Sequence, residues 1–188
     1  GPGMWDGLRR ILHEVSVTAS DRVLVITGAG GTFCAGADLG GVAASGEQMH
    51  PLHAMVPVNA AAIALHELGK PSIAKVNGDA VGAGMNLALG CDLIVAGESA
   101  RFSEIFARRG LSLDFGGSWL LPRLVGMHKA KELAFFADIL SAREAERMGL
   151  VNRVVPDAEL DAFVADWAER LSTSAPLALQ LSKKLLSN

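Results

Sequence analysis

Three small residues, Gly82, Ala83 and Gly84, stand where the main chain itself could do chemistry. They follow a short apolar run, Ser72 to Val76, and the turn dipeptide Asn77-Gly78, and they open a stretch with helical spacing. The first N–H groups of a helix have no partner within it, and the helix dipole favours negative charge there. Because small residues let a ligand approach the main chain, this turn could hold a phosphate or a developing oxyanion. Close packing between strand and helix explains the same residues equally well.

Other candidate motifs fail on their spacing. Gly28-Ala29-Gly30 follows an apolar run, but Phe33 stands where a dinucleotide-binding loop needs its third glycine. Gly116-Gly117-Ser118-Trp119-Leu120 matches only the first half of a nucleophile elbow, because it ends in leucine. His50 and His53 lie close together without a third ligand candidate, so the sequence predicts no metal site.

The elements that must position these residues alternate between short strands and helices, which predicts an α/β fold. Strands are predicted over Arg22–Thr27, Ser72–Val76, Asp92–Ala96, Arg101–Phe106 and Leu150–Val155. Helices are predicted over Met4–Val15, Pro51–Leu68 (kinked or split at Pro57), Ser118–Val125 and Lys129–Ala137, after Asp157, and from Pro176 onward.

Local signals refine these predictions. The first strand is a continuous apolar run of the kind that is buried in a parallel sheet. Ser141 and Glu144 form the pattern of a capping box, and Asp157 is predicted to cap the helix that follows it.

Composition limits the class of protein. The 188 residues are half hydrophobic with a formal net charge of −3, which suits one soluble domain with a substantial core and argues against a nucleic-acid partner. No apolar run has the length of a membrane span, and because the sequence lacks the pattern of a signal peptide, none is expected. Cys34 and Cys91 have no metal-ligand spacing, and we expect them to be buried and reduced, which favours a cytoplasmic location. Gly1-Pro2-Gly3 has the character of a cloning remnant, so the domain is predicted over residues 4–188.

Four pieces in order carry a family resemblance: F-C-A-G-A-D-L at 33–39, V-N-G-D-A-V-G-A-G at 76–84, C-D-L at 91–93 and G-L-S-L-D-F-G-G at 110–117. Together they resemble the crotonase superfamily, also called the enoyl-CoA hydratase/isomerase family. The resemblance implies a spiral of ββα units with C-terminal helices, an acyl-CoA thioester substrate, and a homotrimer or dimer of trimers. It implies no separate cofactor, because coenzyme A is part of the substrate.

In that family two backbone N–H groups stabilise an enolate-like oxyanion formed from the thioester carbonyl. Matched motif by motif, the donors here would be Ala37 and Ala83, and the second agrees with the helix start described above. Asp38 is expected to shape its loop as a turn residue rather than act as an acid. The resemblance also implies a substrate-binding set: Ala35, Gly36, Asp38, Leu39, Gly82 and Phe106.

The sequence departs from the hydratase pattern. Similar hydratases position and deprotonate water with two glutamates, and the corresponding positions here are Asn86 and Phe106. Glu104 is near in sequence, but on a strand a shift of two residues displaces a side chain by roughly 6–7 Å. Hydration without either glutamate would therefore be hard to catalyse well.

Asp114 lies where members with other chemistries, such as 1,2-epoxyphenylacetyl-CoA isomerase, dienoyl-CoA isomerase and chlorobenzoyl-CoA dehalogenase, place a catalytic aspartate. A lone carboxylate among Leu113, Phe115 and Phe106 would be desolvated, and its pKa would rise toward the range that a general base needs. An N-cap for the helix from Ser118 onward is the alternative role.

Three functions follow. The preferred one is an acyl-CoA isomerase in which Asp114 moves a proton and the Ala37 and Ala83 N–H groups hold the enolate. The second is an enoyl-CoA hydratase of fatty-acid or aromatic-acid degradation that uses a substitute for the glutamates. The third is a catalytically silent member that binds acyl-CoA or assembles with partners. The N-terminal strands and the last C-terminal helices that are usual in the family are not in this sequence. Their absence affects the expected contacts to CoA and the expected oligomer.

Overall fold

The computed structural model of the protein describes residues 3–36 and 51–187. The strands are β1 (Leu24–Thr27), β2 (Thr32–Cys34), β3 (Ser72–Val76), β4 (Asp79–Val81), β5 (Leu93–Gly97), β6 (Arg101–Ser103), β7 (Leu140–Ser141) and β8 (Arg153–Val155). The helices are α1 (Met4–Val17), α2 (Pro51–His66), α3 (Ala83–Leu89), α4 (Gly117–Val125), α5 (Met127–Phe136), α6 (Ala142–Arg147), α7 (Leu160–Ser172) and α8 (Pro176–Ser187). Short 3₁₀ helices cover Ile105–Arg109 and Asp157–Glu159.

Successive pairs of strands divide themselves between two sheets. The first sheet has the order β1-β3-β5-β8 with all neighbours parallel, and the second has the order β2-β4-β6-β7, in which β7 alone runs antiparallel. The pairs β1–β2, β3–β4 and β5–β6 each add one strand to each sheet and are followed by a helix, whereas α6 lies between β7 and β8. This arrangement confirms the expected α/β fold of repeated ββα units.

Burial follows position in the first sheet. In β3, which has a strand on each side, four of the five residues are buried, as its apolar sequence predicts. In β1 half-buried and exposed residues alternate, and Val25 is 37% exposed. The prediction of a parallel sheet holds for this run, since β1 pairs with β3 in parallel, but the prediction that the run is buried is wrong. Within the described residues β1 pairs only with β3, and an edge strand with one covered face needs apolar side chains only on that face.

Helix α3 lies at the centre of the molecule, and all seven of its residues are buried. It packs directly against β2, because a Cβ added to Gly84 would lie 1.9 Å from the carbonyl oxygen of Cys34. Close packing of strand and helix thus explains Gly84. It does not explain Gly82, whose φ of +56° is a conformation that favours glycine.

Of the two predicted helix caps, one is present and one is not. The Ser141–Glu144 capping box is present in both directions and confirms that prediction. Asp157 does not cap α7; its Oδ1 accepts the backbone N–H of Ser99, and so it joins the loop after β5 to the chain before α7. None of the helices in the described residues has both the length and the hydrophobicity that a membrane-spanning segment requires.

Candidate active site

The start of α3 presents an unused backbone donor. Gly82 donates its N–H to the carbonyl of Ser103 at 2.8 Å, whereas among the described residues no acceptor takes the N–H of Ala83. Gly36 lies against this turn: a Cβ built on it would be 3.1 Å from the Val81 oxygen and 3.7 Å from the Ala83 nitrogen. Gly36 therefore lies at the helix start. Ala37, Asp38 and Leu39, which the resemblance adds to this site, and His50 lie outside the described residues.

Phe106 packs beside the same turn. Its side chain is 6% exposed, and its ring lies 3.6 Å from the Cβ position of Gly82. An aromatic ring thus occupies the place where the hydratase pattern would put its second glutamate. The first glutamate position is taken by Asn86, which is fully buried on α3. Near the Ala83 N–H, these two positions therefore offer an amide and a ring rather than two carboxylates.

Asn86 connects three segments of the chain through one amide group. Its Nδ2 donates to Glu104 Oε2 at 3.3 Å and to the backbone carbonyl of Asp114 at 3.1 Å. A backbone carbonyl can only accept, so the contact with Asp114 sets the amide orientation: the reverse orientation would place Oδ1 against the carbonyl oxygen. The side chain therefore links α3 to Glu104 and to the loop that carries Asp114.

Glu104 corrects the sequence-based account of this region. The predicted strand Arg101–Phe106 ends at Ser103, and the chain turns into the 3₁₀ helix Ile105–Arg109. Because the strand ends there, the displacement expected along a strand does not apply to Glu104. The residue is 1% exposed and contacts Asn86 in the centre of the cluster. Sequence reasoning set aside this carboxyl group, and the early end of the strand brings it into the site.

Asp114 sits in a tightly formed turn. Phe115 has a φ of 45° and Gly116 a φ of 80°, and the Asp114 carbonyl accepts the N–H of Gly117 at 2.8 Å. A positive φ at phenylalanine is a strained conformation that its surroundings must hold. Phe115 is 1% exposed and packs against Trp5 of α1 with ring centroids 5.0 Å apart. This contact anchors the residue next to the candidate base.

The Asp114 side chain does not cap α4. That helix begins after Gly116 without any side-chain cap, so the capping alternative is wrong. Asp114 Oδ1 is buried and has no hydrogen-bond partner among the residues that the structure describes. Desolvation by burial raises the pKa of Asp114 to about 6, although a hydrogen bond from its own backbone N–H acts to lower it. The predicted upward shift is confirmed. The group is ionised at neutral pH yet close to the range in which a carboxylate exchanges protons readily.

Because Gly117 has no side chain, the amide of Asn86 can pack against it. A Cβ on Gly117 would lie 2.4 Å from both Oδ1 and Nδ2 of Asn86, which is closer than non-bonded atoms approach. Of the glycine pair, Gly116 therefore supplies the left-handed conformation and Gly117 the space. The pair has this role instead of the nucleophile-elbow role that it superficially suggests.

The two carboxyl groups have different protonation states. Desolvation raises the pKa of Glu104 to about 8; the Asn86 hydrogen bond lowers it and the charge of Asp114 raises it further. None of the salt bridges among the described residues includes Glu104. At neutral pH Glu104 is thus mainly a neutral acid and Asp114 mainly a carboxylate. Environments that push two pKa values apart are characteristic of acid and base pairs.

Cys34 also borders this region. It is half-buried, against the prediction that both cysteines are buried, whereas Cys91 is buried as expected. Desolvation raises the pKa of the Cys34 thiol, the backbone of Gly36 lowers it, and the charge of Asp114 raises it. The thiol therefore lies within the electrostatic reach of Asp114. Sequence reasoning used Cys34 only to judge metal spacing and the cell compartment.

The burial of Glu104 leads to a prediction about stability. Its folded pKa of about 8 lies above the ordinary value of 4.5, so the folded protein holds the proton more tightly. The free energy of unfolding should then fall as pH rises through this window, because the native state binds more protons than the unfolded state. Asp114 causes a further decline in the free energy of unfolding between its ordinary pKa of 3.8 and about pH 6, in every variant that keeps this residue.

Glu104→Gln should therefore remove the part of the decline that extends to about pH 8. Urea unfolding of both proteins over this pH range measures it, and the difference between the two curves isolates Glu104. Parallel curves for the wild type and the variant would show that Glu104 does not titrate in this way.

Comparison with known proteins gives the family. The profile of the enoyl-CoA hydratase/isomerase family matches residues 2–188. A probable enoyl-CoA hydratase of Rhodobacter capsulatus is 40% identical over 94% of this chain and 68% of its own length. The 1,2-epoxyphenylacetyl-CoA isomerase of Escherichia coli is 38% identical over 96% of this chain and 70% of its own. The crystal structure of an enoyl-CoA hydratase from Bacillus anthracis superimposes with a TM-score of 0.95 at 35% identity, covering 100% of this chain and 73% of that one. The buried amide and two carboxyl groups described above thus lie in a chain that belongs to the enoyl-CoA hydratase/isomerase family.

Proposed function

We propose that the protein acts on an acyl-CoA thioester, forms its enolate in a site of backbone N–H donors, and moves a proton with Asp114 to shift a double bond. The observation that carries this proposal is the state of Asp114, a carboxylate with a pKa of about 6 and a buried oxygen that has no partner in residues 3–36 and 51–187. The two hydratase positions of the same site hold Asn86 and Phe106. Relatives that are named hydratases and a relative that is named an isomerase agree with the class of substrate.

The reaction balances as two proton transfers. Asp114 takes a proton from the carbon α to the thioester of a 3-enoyl-CoA, and the electron pair of the broken C–H bond moves onto the thioester oxygen. The resulting dienolate extends to the γ carbon. The Asp114 carboxylic acid returns its proton there, the electrons move back from the oxygen, and the product is the 2-enoyl-CoA. Removal of a γ proton and its return to the α carbon is the reverse reaction.

The backbone donors have the role of stabilising the dienolate oxygen. The free N–H of Ala83 is the described donor, and Ala37 is proposed as the second on the basis of the motif match. Fixed main-chain donors at a water-poor helix start are pre-arranged for negative charge and need no reorganisation as it develops. Ala35, Gly36 and Gly82 would leave room for the thioester at these donors, and Phe106 would cover it.

Hydration of a 2-enoyl-CoA is the second candidate. The observation that favours it is two buried oxygens without a partner in the described part of the chain, Glu104 Oε1 and Asn86 Oδ1, which could accept hydrogen bonds from a water molecule. The pKa of Glu104 near 8 argues against this candidate, because a protonated acid cannot deprotonate water at neutral pH. A silent acyl-CoA-binding member is the third; it would show no exchange of the substrate's α proton with solvent deuterium.

The first test of the proposal is binding. The protein should bind an acyl-CoA far more tightly than the matching free acid, because the free carboxylate adds negative charge and lacks the coenzyme A portion. Titration calorimetry with both compounds measures the difference. Equal affinities, or a folded protein that binds neither compound, would contradict an acyl-CoA function.

We further propose that the protein assembles as a homotrimer or a dimer of trimers, as the family resemblance implies. Three large apolar side chains at the end of α5 and just after it are more than half exposed: Phe135, Phe136 and Ile139. Exposed apolar groups that lie close together favour association. Light scattering after size-exclusion chromatography gives the mass directly, and a monomer at micromolar concentration would contradict the proposal. We also propose that the protein needs no separate cofactor and is located in the cytoplasm. Both statements are predictions from the sequence.

A further inference from the structure

The most unusual feature of the described residues outside the proposed mechanism is the buried carboxyl group of Glu104. It is 1% exposed, it forms no salt bridge within the described residues, and its Oε1 has no hydrogen-bond partner. A buried charge without a counter-ion is strongly unfavourable, whereas a neutral acid with one amide donor is tolerated. Burial therefore favours the uncharged carboxylic acid form of Glu104.

The contacts of Glu104 lead to Asp114 in two steps. Glu104 Oε2 accepts one hydrogen bond from Nδ2 of Asn86, and the same nitrogen donates to the backbone carbonyl of Asp114. Gly117, which also donates to that carbonyl, closes the space on the other side of the amide. Because an amide held on two sides cannot rotate freely, the position of Glu104 bears on the backbone at Asp114.

We propose that Glu104 is a positioning residue of this site, which works as an uncharged carboxylic acid and holds the backbone of Asp114 through the amide of Asn86. This inference rests on the proposed function and adds to it a residue that the motif match assigned no role. Loss of the Glu104 contact frees the Asn86 amide, and the Asp114 turn then loses a hydrogen bond that fixes its carbonyl.

The uncharged state has a consequence for the pH dependence. Asp114 is the charged group that acts on Glu104; its nearest polar neighbour, Asn86, does not titrate, and Arg108 of the adjoining 3₁₀ helix is paired with Asp138. When Glu104 ionises near pH 8, a second negative charge enters a poorly solvated site in which an enolate must form. Like charges at short range oppose each other strongly there. Activity should therefore decline on the alkaline side, with Glu104 as the titrating group.

The kinetic test compares two variants of one residue. Glu104→Gln keeps an acceptor oxygen and cannot ionise, so its kcat should fall by less than tenfold and the alkaline decline should be absent. Glu104→Leu removes the acceptor, and its kcat should fall by roughly 10- to 100-fold with little change in KM, which is the scale of a small misplacement of a catalytic group. Asn86→Leu should cause a similar loss, and the double variant should lose no more than the single ones, because the two residues act through one another.

A measurement that needs no catalysis separates failure of this inference from failure of the proposed function. With glutamate labelled with carbon-13 at Cδ, the Glu104 signal, assigned by its absence in Glu104→Gln, should titrate on the alkaline side of neutrality. In Asp114→Asn the same signal should titrate at lower pH, because the neighbouring negative charge is gone. An inactive wild type that gives these titrations would overturn the proposed function alone.

Three results would overturn the inference. A Glu104 signal that titrates near its ordinary 4.5 would show that the group is a carboxylate at neutral pH. A folded Glu104→Leu protein with wild-type kcat would show that it positions nothing. If the wild type hydrated a 2-enoyl-CoA and both Glu104→Gln and Glu104→Leu abolished that hydration equally, Glu104 would be a base rather than a positioning acid, which also contradicts the inference.

Discussion

Replacement of Asp114 by asparagine is expected to slow the isomerisation of a 3-enoyl-CoA by roughly 10²–10⁴-fold, the usual contribution of a general base. The variant keeps the shape of the side chain and removes the group that accepts the proton. Because Asp114 Oδ1 has no partner in the described residues and the side chain caps no helix, the substitution breaks no hydrogen bond of that oxygen. The rate loss should therefore come without a loss of stability.

The pH profile adds a second signature of the same residue. In the wild type kcat/KM should rise with pH through about 6, because only the ionised Asp114 accepts a proton. The remaining activity of the asparagine variant should lack this rise. Above that pH the variant should be at least as stable as the wild type, since burial disfavours the charged form that it removes.

A matched control carries the same change at a remote place. Asp166 lies on α7 with its side chain 63% exposed, paired with Arg170 one helical turn away. Asp166→Asn should retain full activity. A folded Asp114→Asn protein with undiminished isomerase activity would contradict the proposed role of Asp114. Hydration of a 2-enoyl-CoA that depends on Glu104 and survives Asp114→Asn would support the hydratase candidate.

Proline at position 83 is expected to remove catalysis by taking away the backbone donor. Ala83 is the first residue of α3, and proline is tolerated at this position of a helix because the N–H there has no partner within the helix. Loss of one oxyanion-hole donor typically lowers kcat by roughly 10²–10³-fold. The variant should fall at least this far, while its circular dichroism spectrum stays close to that of the wild type.

The control for this substitution is Ala83→Gly, which keeps the N–H and removes only a methyl group. It should retain most of the activity, although Ala83 is 3% exposed and the change leaves a small gap in the core. If Ala83→Pro folds and turns over as fast as the wild type, Ala83 is not an oxyanion donor. If both variants are equally inactive, packing at this position and not the N–H is what matters.

Local sequence determined much of this protein. The turn at Asn77-Gly78, the buried run of β3, the start of α3 at Ala83 and the capping box at Ser141 are each confirmed within a residue or two. Such features depend on φ and ψ preferences, on hydrogen bonds between near neighbours and on hydrophobic spacing, all of which act within a few residues. The order of the four motifs was enough to identify the family, and the desolvation of Asp114 followed from its apolar neighbours.

The composition of the site was decided by the tertiary structure. Glu104 belongs to it because β6 ends at Ser103 and a 3₁₀ helix follows, which the apolar pattern of Arg101–Phe106 does not reveal. Asn86 contacts Glu104 and Asp114 across 18 and 28 residues of sequence, and Gly117 contributes by having no side chain where the amide packs. The tertiary structure also decided between a base and a helix N-cap for Asp114, because α4 begins after the left-handed Gly116 without a cap from the Asp114 side chain. Contacts between distant elements depend on how those elements pack, and no local preference encodes the protonation state that packing imposes on a buried carboxyl group.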